Sequence, residues 1–196
     1  MYKILVFGDS IAYGAVDLEE GGWVNRLKNY LAREGKAEVY NLGVSGNNTN
    51  DLLARFDVES QARNPKTIVF AIGIIDSSWV NSKGDPRVAL KTFQDNITTL
   101  IGQARKYTKR IIFVGLTKVN ESKTNPIPWN TAVHYDNESI VQYNSALKTI
   151  CEKENLVFIE VLDSLGNDDL EDGVHPNSEG HKKLFEKIKN ALGTTS

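Results

Sequence analysis

Apolar positions along this chain fall into two alternating rhythms. Five short runs, Tyr2–Phe7, Ala37–Asn41, Thr67–Ile72, Arg110–Gly115 and Leu156–Val161, are rich in β-branched and aromatic residues. They are brief and nearly continuous, as strands buried on both faces should be. The segments between them carry apolar residues three and four apart, the period of one helix face. Trp23, Leu27, Tyr30 and Leu31 mark one such face, and Phe93, Ile97, Leu100, Ile101 and Ala104 a second. Ile140, Tyr143, Leu147, Ile150 and Cys151 mark a third, and Leu184, Ile188 and Leu192 a fourth. The pattern over Thr49–Ala62 is weaker, but Leu52, Leu53 and Phe56 predict a helix that Thr49 or Asn50 caps. Strands alternating with helices predict an α/β protein, a three-layer α/β/α sandwich around a parallel sheet with right-handed crossovers. No repeat, low-complexity tract or Pro/Gly/Ser linker divides residues 1–196, so one domain is expected.

Composition narrows the function classes. Lys and Arg total 23 against 25 Asp and Glu, for a formal net charge of −2. That balance gives no reason to expect nucleic acid or an anionic membrane as partner. One cysteine, Cys151, excludes an internal disulfide framework and a cysteine-rich metal site. The apolar stretch at the start of the chain is too short for a signal-peptide core, and no run approaches the length of a membrane span. A cytoplasmic location is the expectation.

In a parallel sheet, ligands sit at the carboxyl ends of the strands, so the chemistry should lie there. The first strand ends in Gly8-Asp9-Ser10-Ile11, where Ser10 is placed to be a nucleophile or, with Asp9, merely to cap the next turn. The second ends in Asn41-Leu42-Gly43-Val44-Ser45-Gly46-Asn47-Asn48-Thr49, whose glycines let backbone N–H groups approach a ligand. Ser45–Thr49 has the look of a flavin phosphate loop, but such a loop should follow the first strand. The fifth strand leads to Asp172-Gly173-Val174-His175, in which Asp172 can turn its carboxylate onto the His175 imidazole and fix its tautomer. His134 and His181, the remaining histidines, are expected to face solvent. Each motif alone is weak. Together they bring a nucleophile, an amide donor and an oriented base to one sheet edge, the parts of an acyl-transfer site. The irregular stretch Lys118–Asn137 follows the fourth strand and belongs to the same edge.

The blocks Gly8-Asp9-Ser10-Ile11, Asn41-Leu42-Gly43-Val44-Ser45-Gly46 and Asp172-Gly173-Val174-His175-Pro176-Asn177 resemble the GDSL, or SGNH, hydrolase family, over nearly the whole chain. That resemblance implies a flavodoxin-like five-stranded parallel sheet and hydrolysis of a small-molecule ester without metal or cofactor. It makes Ser10 the nucleophile, His175 the general base and Asp172 the residue orienting it. The backbone amides of Ser10 and Gly43 become oxyanion donors. One block departs from the family. Where Gly-x-Asn-Asp is expected, the chain reads Gly73-Ile74-Ile75-Asp76, so Ile75 replaces a side-chain oxyanion donor. The loss of one such donor costs about 100- to 1,000-fold in turnover. Three readings follow: a slow esterase, a site rescued by Asn47 or Asn48, or a binding module whose chemistry has decayed.

Two other classes fare worse. A phosphoacceptor receiver domain would use Asp9, Asp76 and Thr117, but it needs a lysine after the fifth strand, where Leu162-Asp163-Ser164 stands. A phosphoryl-transfer aspartate enzyme wants a second aspartate two residues beyond Asp9, where Ile11 stands. For the substrate, Asp9, Ile74, Trp79, Trp129 and Tyr135 are expected to border the pocket. The aromatic residues among them could stack on a sugar, pack an acyl chain or simply anchor loops. The absence of a long amphipathic lid favours short acyl groups.

Overall fold

The computed structural model describes residues 2–81 and 83–193. Five strands, β1 (Tyr2–Gly8), β2 (Ala37–Gly43), β3 (Thr67–Ala71), β5 (Ile111–Val114) and β7 (Val157–Ile159), form one sheet in the order β2-β1-β3-β5-β7. Every pairing in it is parallel. A two-stranded antiparallel ribbon, β4 (Trp79–Val80) with β6 (Val133–His134), lies outside it.

Strand alternation divides the core. Leu5 and Phe7 of β1, Ile68 and Phe70 of β3, and Ile111 and Phe113 of β5 point to one face. There they meet α3 (Thr49–Gln61), α5 (Leu90–Ala104) and α7 (Asn137–Lys153). Ile4, Val6, Val69, Ile112 and Val114 point to the other face, against α2 (Gly22–Arg33) and α8 (Ser178–Gly193). The first layer is aromatic, with Phe70 stacked on Phe113 at 4.9 Å between ring centroids. The second is aliphatic apart from Trp23. Where both faces are covered, as in β1, β3 and β5, the strands read as nearly continuous apolar runs, whereas the edge strand β2 alternates buried Ala37 and Val39 with exposed Glu38.

Strand order reverses between β1 and β3, whose connections run to opposite faces. The crevice above that switch point is where such sheets bind ligands. Short helices cluster there: α1 (Ser10–Tyr13) after β1, α4 (Ile74–Ser77) after β3 and α6 (Glu121–Thr124) after β5.

Two local expectations need correction. Helix α3 is capped by Asn48, whose side chain accepts from the Asn50 and Asp51 amides, and not by Thr49 or Asn50. The Thr49 hydroxyl is spent on Asp76 instead, at 2.5 Å. His181 does not face solvent. It is fully buried under α2, where its Nδ1 accepts from the Trp23 amide, and burial pulls its pKa down to about 4, so it stays neutral. No helix among the described residues is long and apolar enough to cross a membrane.

Candidate active site

Ser10 begins α1, directly beyond β1. Asp9 caps that helix: its carboxylate accepts from the Ile11 amide at 2.9 Å and also from Ala12, leaving the Ser10 amide uncapped. The second strand closes against this turn. A Cβ on Gly43 would fall 2.3 Å from the Tyr13 nitrogen, so only glycine lets the end of β2 pass so near α1.

The base arrives from the opposite end of the chain. Between β7 and α8 the Asp172 Oδ1 accepts from the amides of Val174 (3.0 Å) and His175 (2.8 Å), an Asx-type turn that leaves Oδ2 free. Gly173 sits at φ +96°, and a Cβ there would come within 2.7 Å of the Lys123 Cβ. Its carbonyl also takes the Asn120 amide at 2.8 Å, so the segment after β5 pins the turn. The Asp172 Oδ2 then lies 2.6 Å from His175 Nδ1, and His175 Nε2 lies 2.8 Å from Ser10 Oγ. Burial works to raise the Asp172 pKa. The hydrogen bonds from the His175 ring and from the His175 and Val174 amides outweigh it and hold the carboxyl below its ordinary value. An ionised Asp172 fixes Nδ1 as the donor and turns Nε2, as acceptor, toward the Ser10 hydroxyl.

Ser10 and His175 open onto a cleft of ≈ 290 Å³ whose wall includes Ile75, Tyr135 and Trp129. Ile75 is 6% exposed and lines the cleft together with Ser10. Trp129 is 52% exposed, its ring centroid 5.7 Å from that of His175. Tyr135 is buried in the wall, and burial pushes its phenol up to about 12, so it is neutral.

The remaining expected residues lie elsewhere. Asp9 and Ile74 do not border the cleft: both are 2% exposed and line a separate internal cavity of ≈ 30 Å³ together with Thr117. Asp9 is turned inward by its capping role, and burial pushes its pKa up to about 7. Trp79 is drawn inward by the β4–β6 ribbon. It stacks on His134 at 4.0 Å and donates from its indole N–H to Asp136 at 2.8 Å. Asn47 accepts from Arg55 Nε at 2.8 Å and Asn48 caps α3; neither lines the cleft. The Gly43 amide donates to the Asn41 side chain at 3.0 Å. Sequence reasoning missed Arg87, which lines the cleft and is exposed. Its segment, between α4 and α5, has no periodic pattern to single it out.

The strand order, the crevice over the β1/β3 switch point and the hydrogen-bonded Ser–His–Asp chain above it define a class: the fold is that of the SGNH hydrolases. The chain belongs to the GDSL-like lipase/acylhydrolase family, whose model matches residues 6–183. It is 26% identical to the acetylxylan esterase of Geobacillus stearothermophilus, over 97% of this chain and 94% of that one. It is also 30% identical over 109 residues to an uncharacterised lipoprotein of Bacillus subtilis, a match spanning 53% of this chain and 44% of the relative. Among solved structures, a lipase/acylhydrolase from Enterococcus faecalis superposes with a TM-score of 0.81 at 24% identity, covering 98% of this chain and 95% of that one. At that identity the superposition speaks for the fold alone.

Proposed function

We propose that this protein hydrolyses short-chain carboxylic esters through an acyl-enzyme on Ser10. His175 Nε2 takes the hydroxyl proton as Ser10 Oγ bonds to the ester carbonyl carbon. The negative charge gathers on the carbonyl oxygen, facing the Ser10 amide and, once it exchanges Asn41 for the substrate, the Gly43 amide. His175 returns its proton to the departing alcohol. A water molecule then repeats the sequence on the acyl-serine and releases the acid. Asp172 keeps its own proton-free state throughout and stabilises the imidazolium.

The observation that carries this reading is the unbroken chain Ser10–His175–Asp172, with 2.8 and 2.6 Å links. The cleft is small, which suits short acyl groups. The acetylxylan esterase relative acts, by its name, on an acetyl ester. The test is a series of p-nitrophenyl esters from acetate to longer acyl chains, with a fluorophosphonate probe to label Ser10. Turnover that falls with chain length and labelling abolished in Ser10→Ala are the expected results. Ile75 in the cleft wall favours a second reading, a binding module. It predicts that the folded protein shows neither turnover nor labelling.

A further inference from the structure

Two polar side chains at the cleft belong to the proposed proton-transfer apparatus besides Ser10: His175 lines it directly, and Asp172 stands behind His175. Arg87 has no part in that apparatus. Its backbone is fixed, with the amide donating to the Ser78 carbonyl at 2.7 Å and the next residue's amide donating to the Asp76 carbonyl. The side chain is exposed, and among the described residues its guanidinium has no carboxylate or carbonyl partner. The groups facing it offer no compensating charge. Tyr135 is a neutral phenol, while Ile75, Ile127 and Val133 are apolar. An unpaired guanidinium on a fixed backbone, beside low-polarity walls, is a receptor for a planar oxyanion, which it can grip with two parallel hydrogen bonds.

The direction of the cleft says which part of the substrate carries that anion. The carbonyl carbon must sit at Ser10 Oγ, and a short acyl group ends there. Arg87 and the half-exposed Trp129 belong to the solvent-exposed part of the lining, which is open to a larger alcohol portion. We infer that the ester taken by this site is acidic, with a carboxylate or comparable oxyanion on its alcohol portion held by Arg87. This rests on the esterase reading for the reaction, but the recognition of the anion can be read without it.

The matched substrates are 4-acetoxybenzoate and its neutral methyl ester, each rate divided by its rate with hydroxide to remove the leaving-group difference. The wild type should favour the carboxylate by about tenfold or more, the size expected of one charge-assisted contact. Raising salt from about 0.05 to about 0.5 M should erode that preference. Arg87→Gln should bring the ratio near one through KM, while Lys153→Gln, at the opposite end of the sheet, keeps it. No preference in the wild type, or a ratio unmoved by Arg87→Gln, overturns the inference. So does an equal fall in kcat on both esters, which would make Arg87 an oxyanion donor. Calorimetric binding of 4-acetamidobenzoate, an amide that is not turned over, separates the two proposals. Binding that depends on Arg87 in a protein inert toward both esters keeps anion recognition and removes the esterase reading. Ester turnover without Arg87-dependent binding does the reverse.

Discussion

The two walls of the cleft are built to different standards. On the wall made by α1 and the turn before α8, every polar atom of Ser10, His175 and Asp172 that the proton relay needs has a partner at 2.6–3.0 Å. On the other wall, which Ser45, Gly46 and Ile75 line beyond the ends of β2 and β3, Ile75 is apolar, and the nearby Gly43 amide is held by Asn41. In the proposed reaction one wall makes the nucleophile and the other should stabilise the charge it creates. The difference teaches that a complete triad does not by itself set a rate, because the donors that lower the barrier lie on a separate element and vary independently.

The largest effects should come from breaking the complete wall. Ser10→Ala and His175→Ala should each lower kcat by about 10⁴-fold or more, and the double variant should be hardly worse, since the residues act as a unit. Asp172→Asn should lose about 10⁴-fold, because an amide in that turn presents the wrong partner to His175 Nδ1. Steady-state kinetics on one acetyl ester, with circular dichroism to confirm folding, check all four. Full activity in Ser10→Ala would falsify the acyl-enzyme.

Repairing the poorer wall should have a smaller effect of opposite sign. Ile75→Asn introduces a donor aimed at the developing oxyanion, so kcat should rise more than KM falls. The gain should stay below about 100-fold, because a transplanted side chain is not held by surroundings shaped for it. The same position holds the family's asparagine, so a neutral result in a folded variant would mean that the charge already has another donor. Asn47 and Asn48 are poor candidates for that role, since neither lines the cleft.

The unequal walls also explain what the sequence could and could not disclose. The complete wall was legible because its parts are local: Ser10 two residues beyond the end of β1, and Asp172 and His175 three apart on a single turn. The sheet was legible for a related reason, since burial on both faces turns the inner strands β1, β3 and β5 into apolar runs that stand out in the chain. Pocket lining was not, because it depends on where side chains turn after the backbone is placed. Asp9 and Trp79 sit in suggestive positions, yet capping and an indole hydrogen bond draw them inward. Arg87 reaches the cleft from a stretch with no periodic or motif signal. Strand ends slipped by one to two residues, as at Leu156–Val161, where pairing covers only Val157–Ile159, since apolar burial continues past the last ladder hydrogen bond.

A buried carboxyl underlies each wall and sharpens the comparison through pH. Asp9 precedes Ser10 and Asp76 follows Ile75; burial pushes them up to about 7 and about 6. Between the ordinary carboxylate value and these folded values, the native state holds protons that the unfolded chain has released. Stability therefore falls as pH rises through that window, by at most about 1.4 kcal/mol per pH unit for each group. Asp9→Asn should flatten the slope between about pH 4 and 7, since an amide oxygen can still cap α1. Asp76→Asn should flatten it over a narrower range and also lower stability throughout, because its amide nitrogen would meet the Thr49 donors. Urea unfolding at several pH values measures both, and a wild-type slope near zero would show that neither group is perturbed.

The smallest effect belongs to the rim that joins the walls. Trp129 leans over His175 with an interplanar angle of 31° and leaves half its surface to solvent. Its ring is apolar on the side that faces the cleft, so a substrate's alcohol portion can pack against it, and it makes no hydrogen bond to the relay. Trp129→Ala should therefore raise KM by about three- to tenfold, the worth of one aromatic contact, with kcat within about twofold. Trp129→Phe should recover most of the loss. The split between KM and kcat decides the role of the ring. If kcat falls instead, with KM unchanged, the ring holds His175 against Ser10 and belongs with the complete wall.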